Sequence, residues 1–248
     1  QTGKIRLEVE GSDLSPGEDN LVLRAARAFY KAFRIGQGVT IRLTKRIPVG
    51  AGLGGGSSDA AGALLALPKL FDLPLTAARK KRIKSIGASL GADVPFFLNP
   101  APFCVGKGIG DQLKAVSVKD SLPYMILAYP NLHISTAESY RNLPKPDRKD
   151  VLTRLSHLDK LVTSLKYGRP VEDWAFLLFN RLEQARLPAL AQVEQARSIL
   201  ERLGLRGVRM SGSGSSVFGF VPSHAEGERI LKRLQGYPWQ VFLTSCQG

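Results

Sequence analysis

The segment with the clearest chemical signature runs from Pro48 to Ala61, where glycines are followed by two serines. Five of the seven residues from 50 to 56 are glycine, and an alanine-rich helical pattern begins at Ser57 and Ser58. Backbone without Cβ atoms can approach a ligand closely and adopt positive φ. The N–H groups and dipole of a following helix attract phosphate, and serine hydroxyls can reach phosphate oxygens or Mg²⁺. The pattern predicts a phosphate-binding loop rather than a flexible linker, because linkers do not usually run straight into a helix.

This glycine-rich loop differs from the common nucleotide-binding motifs. Gly50, Gly52 and Gly55 satisfy the spacing of the dinucleotide fingerprint, but that match means little in a run so rich in glycine. Lys45 and Pro48 also separate the loop from the preceding strand, whereas a dinucleotide loop begins at the strand's end. The residue after the last glycine is serine and not the lysine of the P-loop, and neither H-R-D nor D-F-G of the protein kinases occurs. The loop therefore represents a different phosphate-binding class.

A second segment, Gly-Ala-Asp-Val-Pro-Phe-Phe at residues 91–97, contains a single carboxylate, that of Asp93. It lies in a turn between a predicted helix and an apolar stretch. Burial beside a phosphate-binding loop would equip this carboxylate to act as a general base. Taken alone, Asp93 is better explained as a helix cap or turn former.

A third segment, Met210–Ser216, is a loop of small residues between two predicted strands. By itself it would be an ordinary hairpin turn, but it would also suit a second loop that closes on the ligand of the first. Ser57, Ser58 and Ser213 all lie outside any G-x-S-x-G motif, and the three histidines show no triad pattern. Serine hydrolase chemistry has no support.

Hydrophobic periodicity predicts the elements that position these segments. The predicted strands cover residues 5–9, 39–43, 124–129, 207–210, 217–221 and 239–244, and the predicted helices cover residues 19–33, 57–70, 76–90, 193–203 and 226–234. The Pro- and charge-rich segment 142–150 is predicted to be a loop or linker. Strands and helices mix without regular alternation, which favours an α+β fold over a doubly wound sheet. We expect two domains, 1–120 and 121–248.

Composition limits the classes of protein that the chain can belong to. With 44% hydrophobic and 23% charged residues it is neither disordered nor collagen-like. It contains no apolar stretch long enough for a membrane span and no signal-peptide core near its start, so we expect a soluble, cytoplasmic protein. Two cysteines and three histidines, none at zinc-ligand spacing, argue against a structural metal. The net charge of +14 attracts anions in general, and the basic run Arg79–Lys84 is best explained as a solvated helix face.

Taken together, P-x-G-A-G-L-G-G-G-S-S-D-A-A at 48–61, G-A-D-V-P at 91–95 and S-G-S-G-S at 211–215 resemble the GHMP small-molecule kinases. The resemblance extends from Gly3 to Val221. It implies an S5-like N-terminal domain and a ferredoxin-like C-terminal domain, with the active site between them. It also implies transfer of phosphate from ATP, with Mg²⁺, to a hydroxyl of a small molecule. The triple glycine and the G-A-D-V-P-F-F string are similar to the branch of this family that acts on a diphosphocytidyl substrate.

The resemblance also implies a role for each matching residue. ATP phosphates are expected on the two small-residue loops, at Gly50, Gly52, Leu53, Gly54, Gly55, Gly56, Ser57, Ser58, Ser213 and Gly214. Ser57 or Ser58 is expected near Mg²⁺, and Asp93 is expected to take the proton from the substrate hydroxyl.

Four further positions match those that contact the two substrates in this family. Asn20 and Lys45 match positions near the adenosine, although Lys45 also fits an ordinary charge at a strand end. Thr136 and Tyr140 match the part that meets the diphosphocytidyl substrate, where an aromatic ring can stack on cytosine. From the sequence alone, simple packing is the better explanation for Tyr140.

The sequence departs from the family pattern at its beginning. Family members open with a P-A-K-[IV]-N-L strand, whose lysine lies beside the catalytic aspartate, and then carry a D-G-Y-H segment. Neither string occurs in these 248 residues. We therefore expect several tens of residues to precede Gln1 in the natural protein.

Two alternatives remain open at this point. One is another GHMP kinase, acting on homoserine, mevalonate or a sugar. The other is a basic RNA-binding module, which the charge and an S5-like domain would permit. The sequence lacks RNA-binding motifs, and its aromatic residues, 8% of the total, do not alternate with the basic runs. We expect a small-molecule partner, no specific nucleic acid and no membrane, and the sequence leaves the oligomeric state open.

Overall fold

The structure, a computed structural model, describes residues 3–119 and 122–245. Contacts within the chain divide it into two compact units. The first unit comprises the described residues of Gln1–Val49 and Gly54–Ala115, and the second comprises Gly50–Leu53 and the described residues of Val116–Gly248. Four residues of the glycine-rich loop thus group with the second unit, while the residues on either side group with the first.

The first unit begins with two parallel strands joined by a helix. Strand β1 (Ile5–Glu10) pairs with β2 (Val39–Thr44), and α1 (Leu21–Phe33) lies between them in the chain. The remaining elements of this unit are α2 (Gly55–Leu70), α3 (Ala77–Leu90), α4 (Val94–Phe97) and the antiparallel hairpin of β3 (Cys104–Lys107) and β4 (Gln112–Ala115).

Small side chains let α1 and α2 pack closely. Ala25 and Ala26 on α1 are buried in the same core cluster as Ala60 and Ala61 on α2. Alanine faces bring helix backbones near each other, and the buried Phe29 fills the adjacent space. This packing fixes the direction of α2, whose first turn follows the glycine-rich loop.

The second unit is built on a four-stranded antiparallel sheet in the order β6-β7-β5-β8. Its elements, in chain order, are β5 (Tyr124–Tyr129), α5 (Thr136–Arg141), α6 (Arg148–Lys166), α7 (Leu190–Arg202), β6 (Arg206–Met210), β7 (Val217–Val221), α8 (His224–Leu234) and β8 (Gln240–Thr244). Short 3₁₀ turns at Val171–Asp173, Ala175–Leu177 and Arg181–Gln184 precede α7. The arrangement of β5, α7, β6, β7, α8 and β8 is that of a ferredoxin-like fold, as predicted.

The structure confirms the α+β fold class and changes the bounds of some predicted elements. Helix α2 begins at Gly55, two residues before its predicted start. The predicted loop 142–150 is shorter, because α6 already begins at Arg148. The hairpin of β3 and β4 and the short helix α4 were not predicted. In the described part of the chain, no helix has both the length and the apolar character needed to cross a membrane.

Candidate active site

Helix α2, which follows the glycine-rich loop, begins without a side-chain cap. Its N-cap residue is Gly54, whose φ of 66° and ψ of 15° lie in the left-handed region. A Cβ at this position would lie 2.9 Å from two ring carbons of Phe97, so glycine is the residue that fits. Since glycine offers no side-chain acceptor, the first N–H groups of α2 remain available to an anion, which the helix dipole also attracts. An uncapped helix start of this kind is chemically suited to an anion, and the binding of ATP phosphates here stays a prediction.

The two serines after the glycines differ in their hydrogen bonding. The Ser58 hydroxyl donates to the carbonyl oxygen of Gly55 at 2.8 Å, within the first turn of α2. No hydrogen bond joins the Ser57 side chain to another described residue. The described residues also contain no group of three or more His, Cys, Asp or Glu side chains that could hold a metal ion.

Lys45 lies directly after β2 and is buried, with 7% of its surface exposed. Its Nζ atom lies 2.5 Å from Oδ2 of Asp59, which belongs to α2. The resemblance implies a position near adenosine for Lys45, and the sequence alone indicates no role for Asp59. The ammonium group of Lys45 has a charged partner within the protein, and the adenosine contact stays a prediction.

Asn20 occupies the N-cap position of α1 and is also buried. Its Oδ1 accepts the backbone N–H of Val22 at 3.0 Å, and its Nδ2 donates to the carbonyl oxygen of Ser15 at 3.0 Å. Both polar atoms of this side chain therefore stabilise the start of α1. The predicted contact of Asn20 with adenosine would have to use the second N–H of its Nδ2 atom or the second lone pair of its Oδ1 atom.

Asp93 lies immediately before α4, and its side chain is exposed. The expectation that burial would prepare this carboxylate was therefore wrong. Although Asp93 stands at the N-cap position, its side chain makes no capping hydrogen bond. Phe97, four residues further on, is the residue that contacts Gly54, so Asp93 lies about one helical turn from that contact. The Asp93 carboxylate, which has no hydrogen bond or ion pair with another described residue, thus directly precedes the helix that packs against the start of α2.

Within the second unit, the two small-residue loops touch each other. The Ser211 hydroxyl donates to the carbonyl oxygen of Gly52 at 2.9 Å, and the Ser216 N–H donates to that of Ala51 at 3.2 Å. Gly52 has a φ of 73°, and a Cβ there would lie 2.3 Å from the carbonyl oxygen of Ser211. The third motif is therefore more than an isolated hairpin turn, because it holds the Gly50–Leu53 part of the first.

Thr136, which is predicted to contact the diphosphocytidyl substrate, lies in direct contact with Ser213, which is predicted to bind ATP phosphates. Their hydroxyl oxygens lie 2.7 Å apart, which joins the start of α5 to the second small-residue loop. Tyr140 lies one turn further along α5, and 64% of its surface is exposed. Exposure argues against packing as its role, so the ring remains free to stack on a flat ligand.

Three residues near these loops were not found from the sequence. Asn180 supports the second loop, since its Nδ2 donates to the carbonyl oxygens of Met210 and Gly212. His133 lies against the first loop, because a Cβ at Gly50 would be 2.3 Å from its Nδ1. Of the three, only Asp59 could have been recognised from the sequence, because it is an acidic residue close to the predicted phosphate site.

Comparisons with known proteins show which class of proteins the chain belongs to. Residues 20–100 match the model for the N-terminal domain of the GHMP kinases, and residues 171–238 match the model for their C-terminal domain. The class of protein that the fold and the glycine-rich loop define is therefore the GHMP kinases. Homoserine kinase from Cytophaga hutchinsonii has the same fold, with a TM-score of 0.76 at 20% identity over 98% of this chain and 82% of that one.

Relatives of higher sequence identity indicate which family of GHMP kinases the chain belongs to. The chain is 35% identical to 4-diphosphocytidyl-2-C-methyl-D-erythritol kinase of Thermodesulfovibrio yellowstonii over 96% of its length and 82% of the relative's. It is 37% identical to the Pelobacter propionicus protein of that name, covering 92% and 77% of the two chains. A crystal structure of 4-(cytidine 5'-diphospho)-2C-methyl-D-erythritol kinase superposes with a TM-score of 0.76 at 31% identity, covering 100% and 84%. The chain belongs to the 4-diphosphocytidyl-2-C-methyl-D-erythritol kinase family and is an ATP-dependent kinase of a small molecule.

Proposed function

We propose that the chain phosphorylates the 2-hydroxyl group of 4-diphosphocytidyl-2-C-methyl-D-erythritol with ATP. One observation in the first unit carries the proposal: an uncapped helix start at Gly54 is packed, through Phe97, against the element that holds the free carboxylate of Asp93. The helix start can bind phosphates, and the carboxylate can accept a proton. The names of the relatives supply the identity of the substrate.

In this proposal, Asp93 accepts the proton of the substrate hydroxyl while the hydroxyl oxygen attacks the γ-phosphorus. The bond from that phosphorus to the oxygen bridging the β- and γ-phosphates breaks, and ADP leaves. The N–H groups of Gly55, Gly56 and Ser57 orient the phosphates and stabilise the charge on the transferred group. Mg²⁺, held by phosphate oxygens and the hydroxyls of Ser57 and Ser58, would neutralise phosphate charge.

Residues of the second unit would contact both ATP and the diphosphocytidyl substrate. Gly50, Gly52 and Leu53 would bind phosphates together with Ser213 and Gly214. Thr136 and Tyr140 would contact the diphosphocytidyl group, Tyr140 by stacking on cytosine.

We infer a single small-molecule substrate besides ATP, no specific nucleic acid partner and a cytoplasmic location. The division into an ATP-binding part, 1–120, and a second domain, 121–248, belongs to the same proposal. The positive charge then serves anionic substrates and solubility.

Product analysis tests the proposed function. The protein is incubated with ATP and the diphosphocytidyl substrate, and separately with ATP and homoserine or mevalonate, and the products are identified by mass spectrometry. We expect a monophosphorylated product and stoichiometric ADP with the diphosphocytidyl substrate alone. Comparable product from homoserine or mevalonate would assign the chain to another activity within the GHMP kinases.

A further inference from the structure

The ion pair between Lys45 and Asp59 is unusual for this chain because it is buried. The side chains of Lys45 and Asp59 are 4% and 18% exposed, and every other ion pair of the described residues includes a more exposed cation. In the described part of the chain, Lys45 is also the only charged residue that is buried as a whole. A pair removed from water in this way is costly to separate, because either partner alone would be a buried uncompensated charge.

The pair lies directly beneath the start of α2. Lys45 extends the pairing of β2, since its N–H donates to the carbonyl oxygen of Glu10 at 2.8 Å. A Cβ at Gly55 would lie 2.8 Å from Nζ of Lys45, so the ammonium group sits against the first residue of the helix. Asp59 is the fifth residue of α2. The lysine thus ties the end of β2 to the turn whose N–H groups form the proposed phosphate site.

The negative charge of Asp59 would weaken phosphate binding at this position. A carboxylate just behind a phosphate site repels the phosphates, and in a partly buried environment the repulsion is screened only weakly. Lys45 cancels that charge at a distance of 2.5 Å. If Lys45 turned toward a nucleotide, it would leave the Asp59 carboxylate uncompensated next to the γ- and β-phosphates.

We propose that Lys45 is a positioning residue: it acts on the nucleotide through Asp59, by neutralising that carboxylate and holding the first turn of α2, rather than by touching adenosine. The inference rests on the proposed nucleotide site. The affinity for ATP then depends on both members of the ion pair. The affinity lost when Lys45 alone is replaced increases with the number of phosphates on the nucleotide.

The experiment is a double-mutant cycle of Lys45→Met, Asp59→Asn and the combined variant, with the exposed Lys69→Met in the last turn of α2 as the matched control. Dissociation constants for AMP, ADP and a non-hydrolysable ATP analogue are measured by calorimetry, and urea unfolding is measured without nucleotide. We expect Lys45→Met to weaken binding of the ATP analogue by about 10- to 100-fold, of ADP by less and of AMP least. The combined variant should recover to within about threefold of the parent chain, since neither charge remains.

The opposite pattern identifies a direct adenosine contact. In that case the combined variant binds as weakly as Lys45→Met, and AMP loses as much affinity as the ATP analogue. If Lys45→Met does not fold, the combined variant still decides. It should bind AMP and the ATP analogue within about threefold of the parent if the lysine acts through Asp59, whereas a direct adenosine contact requires a similar, large loss for both nucleotides. Parent protein that binds no nucleotide refutes the proposed function, whereas urea data without coupling between the two sites refute the pair itself.

Discussion

Two helices of the first unit begin in opposite ways. Helix α1 starts at Asn20, whose side chain accepts the N–H of Val22 and so uses part of the helix end internally. Helix α2 starts at Gly54, which has no side chain to do the same. Glycine at an N-cap position is less stabilising than a capping side chain by only about a few tenths of a kcal/mol, so α2 leaves its first N–H groups open at little loss of stability. The side chain of Asn20 stabilises one helix end, whereas the other helix end keeps its N–H groups open, as the proposed phosphate site requires.

The short helix α4 adds a third kind of start. Asp93 occupies the N-cap position, where aspartate is a favoured residue, yet its carboxylate makes no capping hydrogen bond. Asn20 and Asp93 are therefore similar in position and different in use. The comparison predicts that Asn20 matters for stability and Asp93 for chemistry.

The largest effect is expected for Asp93→Asn. We expect the turnover number to fall by about 10²–10⁴, the usual contribution of a positioned base, while ATP affinity stays within about threefold of the parent value. Steady-state kinetics combined with calorimetry measure the two quantities separately. Equal losses in affinity and rate would mean that Asp93 has a structural role instead. Asp93→Ala, which unlike Asn removes the capping oxygen, would in that case also lower the free energy of unfolding.

The next effect is expected for Gly54→Ala. A left-handed backbone and a clash with Phe97 strain this variant by about 1–3 kcal/mol, and relief of that strain displaces the first turn of α2. We expect ATP affinity to fall at least about tenfold. The control is Gly62→Ala in the same helix, where a Cβ has nothing within 4 Å and ATP affinity should not change. Unaltered affinity in Gly54→Ala would refute the phosphate assignment.

A smaller effect is expected for Asn20→Ala, and it should appear in stability. Loss of the cap should lower the free energy of unfolding by about 1 kcal/mol, as measured by urea denaturation. Asn20→Ser restores a capping oxygen and should recover most of that loss, but it does not restore an amide group. If the two variants lose the same amount of ATP affinity relative to the parent, Asn20 contacts the nucleotide in addition to capping α1.

The smallest effect is expected on α3, a helix that begins with a side-chain cap like that of α1. Thr76 accepts the N–H of Arg79 there, and the basic side chains that follow are mostly exposed. Reversing Lys80 and Lys81 to Glu should leave kinase turnover intact. Nucleic acid should bind the parent chain only weakly, at about 10⁻⁴–10⁻⁶ M, and release with added salt. A tight, salt-resistant complex would instead support the RNA-binding alternative.

The sequence predicted elements well where the periodicity was local. The alternation in residues 5–9 and the helical spacing in residues 19–33 correspond to β1 and α1, because one buried face determines each pattern. The start of α2 was placed too late because Gly55 and Gly56 are poor helix formers, and tertiary packing overrides that preference. The β3 and β4 hairpin was missed because four-residue strands with a glycine give little alternation.

The motifs of the candidate site could be predicted from the sequence, but the side-chain contacts between distant residues could not. The glycine-rich loop and Asp93 are recognisable from residue type and neighbours alone. The contact between Lys45 and Asp59 depends on how β2 and α2 pack, which no spacing in the sequence encodes. The same holds for Asn180, whose side chain supports a loop about thirty residues away.

The hydrogen bond from Ser211 to Gly52 spans 159 positions of the chain. During synthesis, Gly52 leaves the ribosome long before the loop that holds it, and a contact of such high sequence separation forms late. The Gly50–Leu53 part of the loop must therefore wait for residues 211–216 before it reaches its final backbone conformation. A nascent or prematurely terminated chain that has folded α1 and α2 still lacks this support. On the proposed function, we therefore expect full nucleotide affinity only in chains that have been synthesised beyond β6.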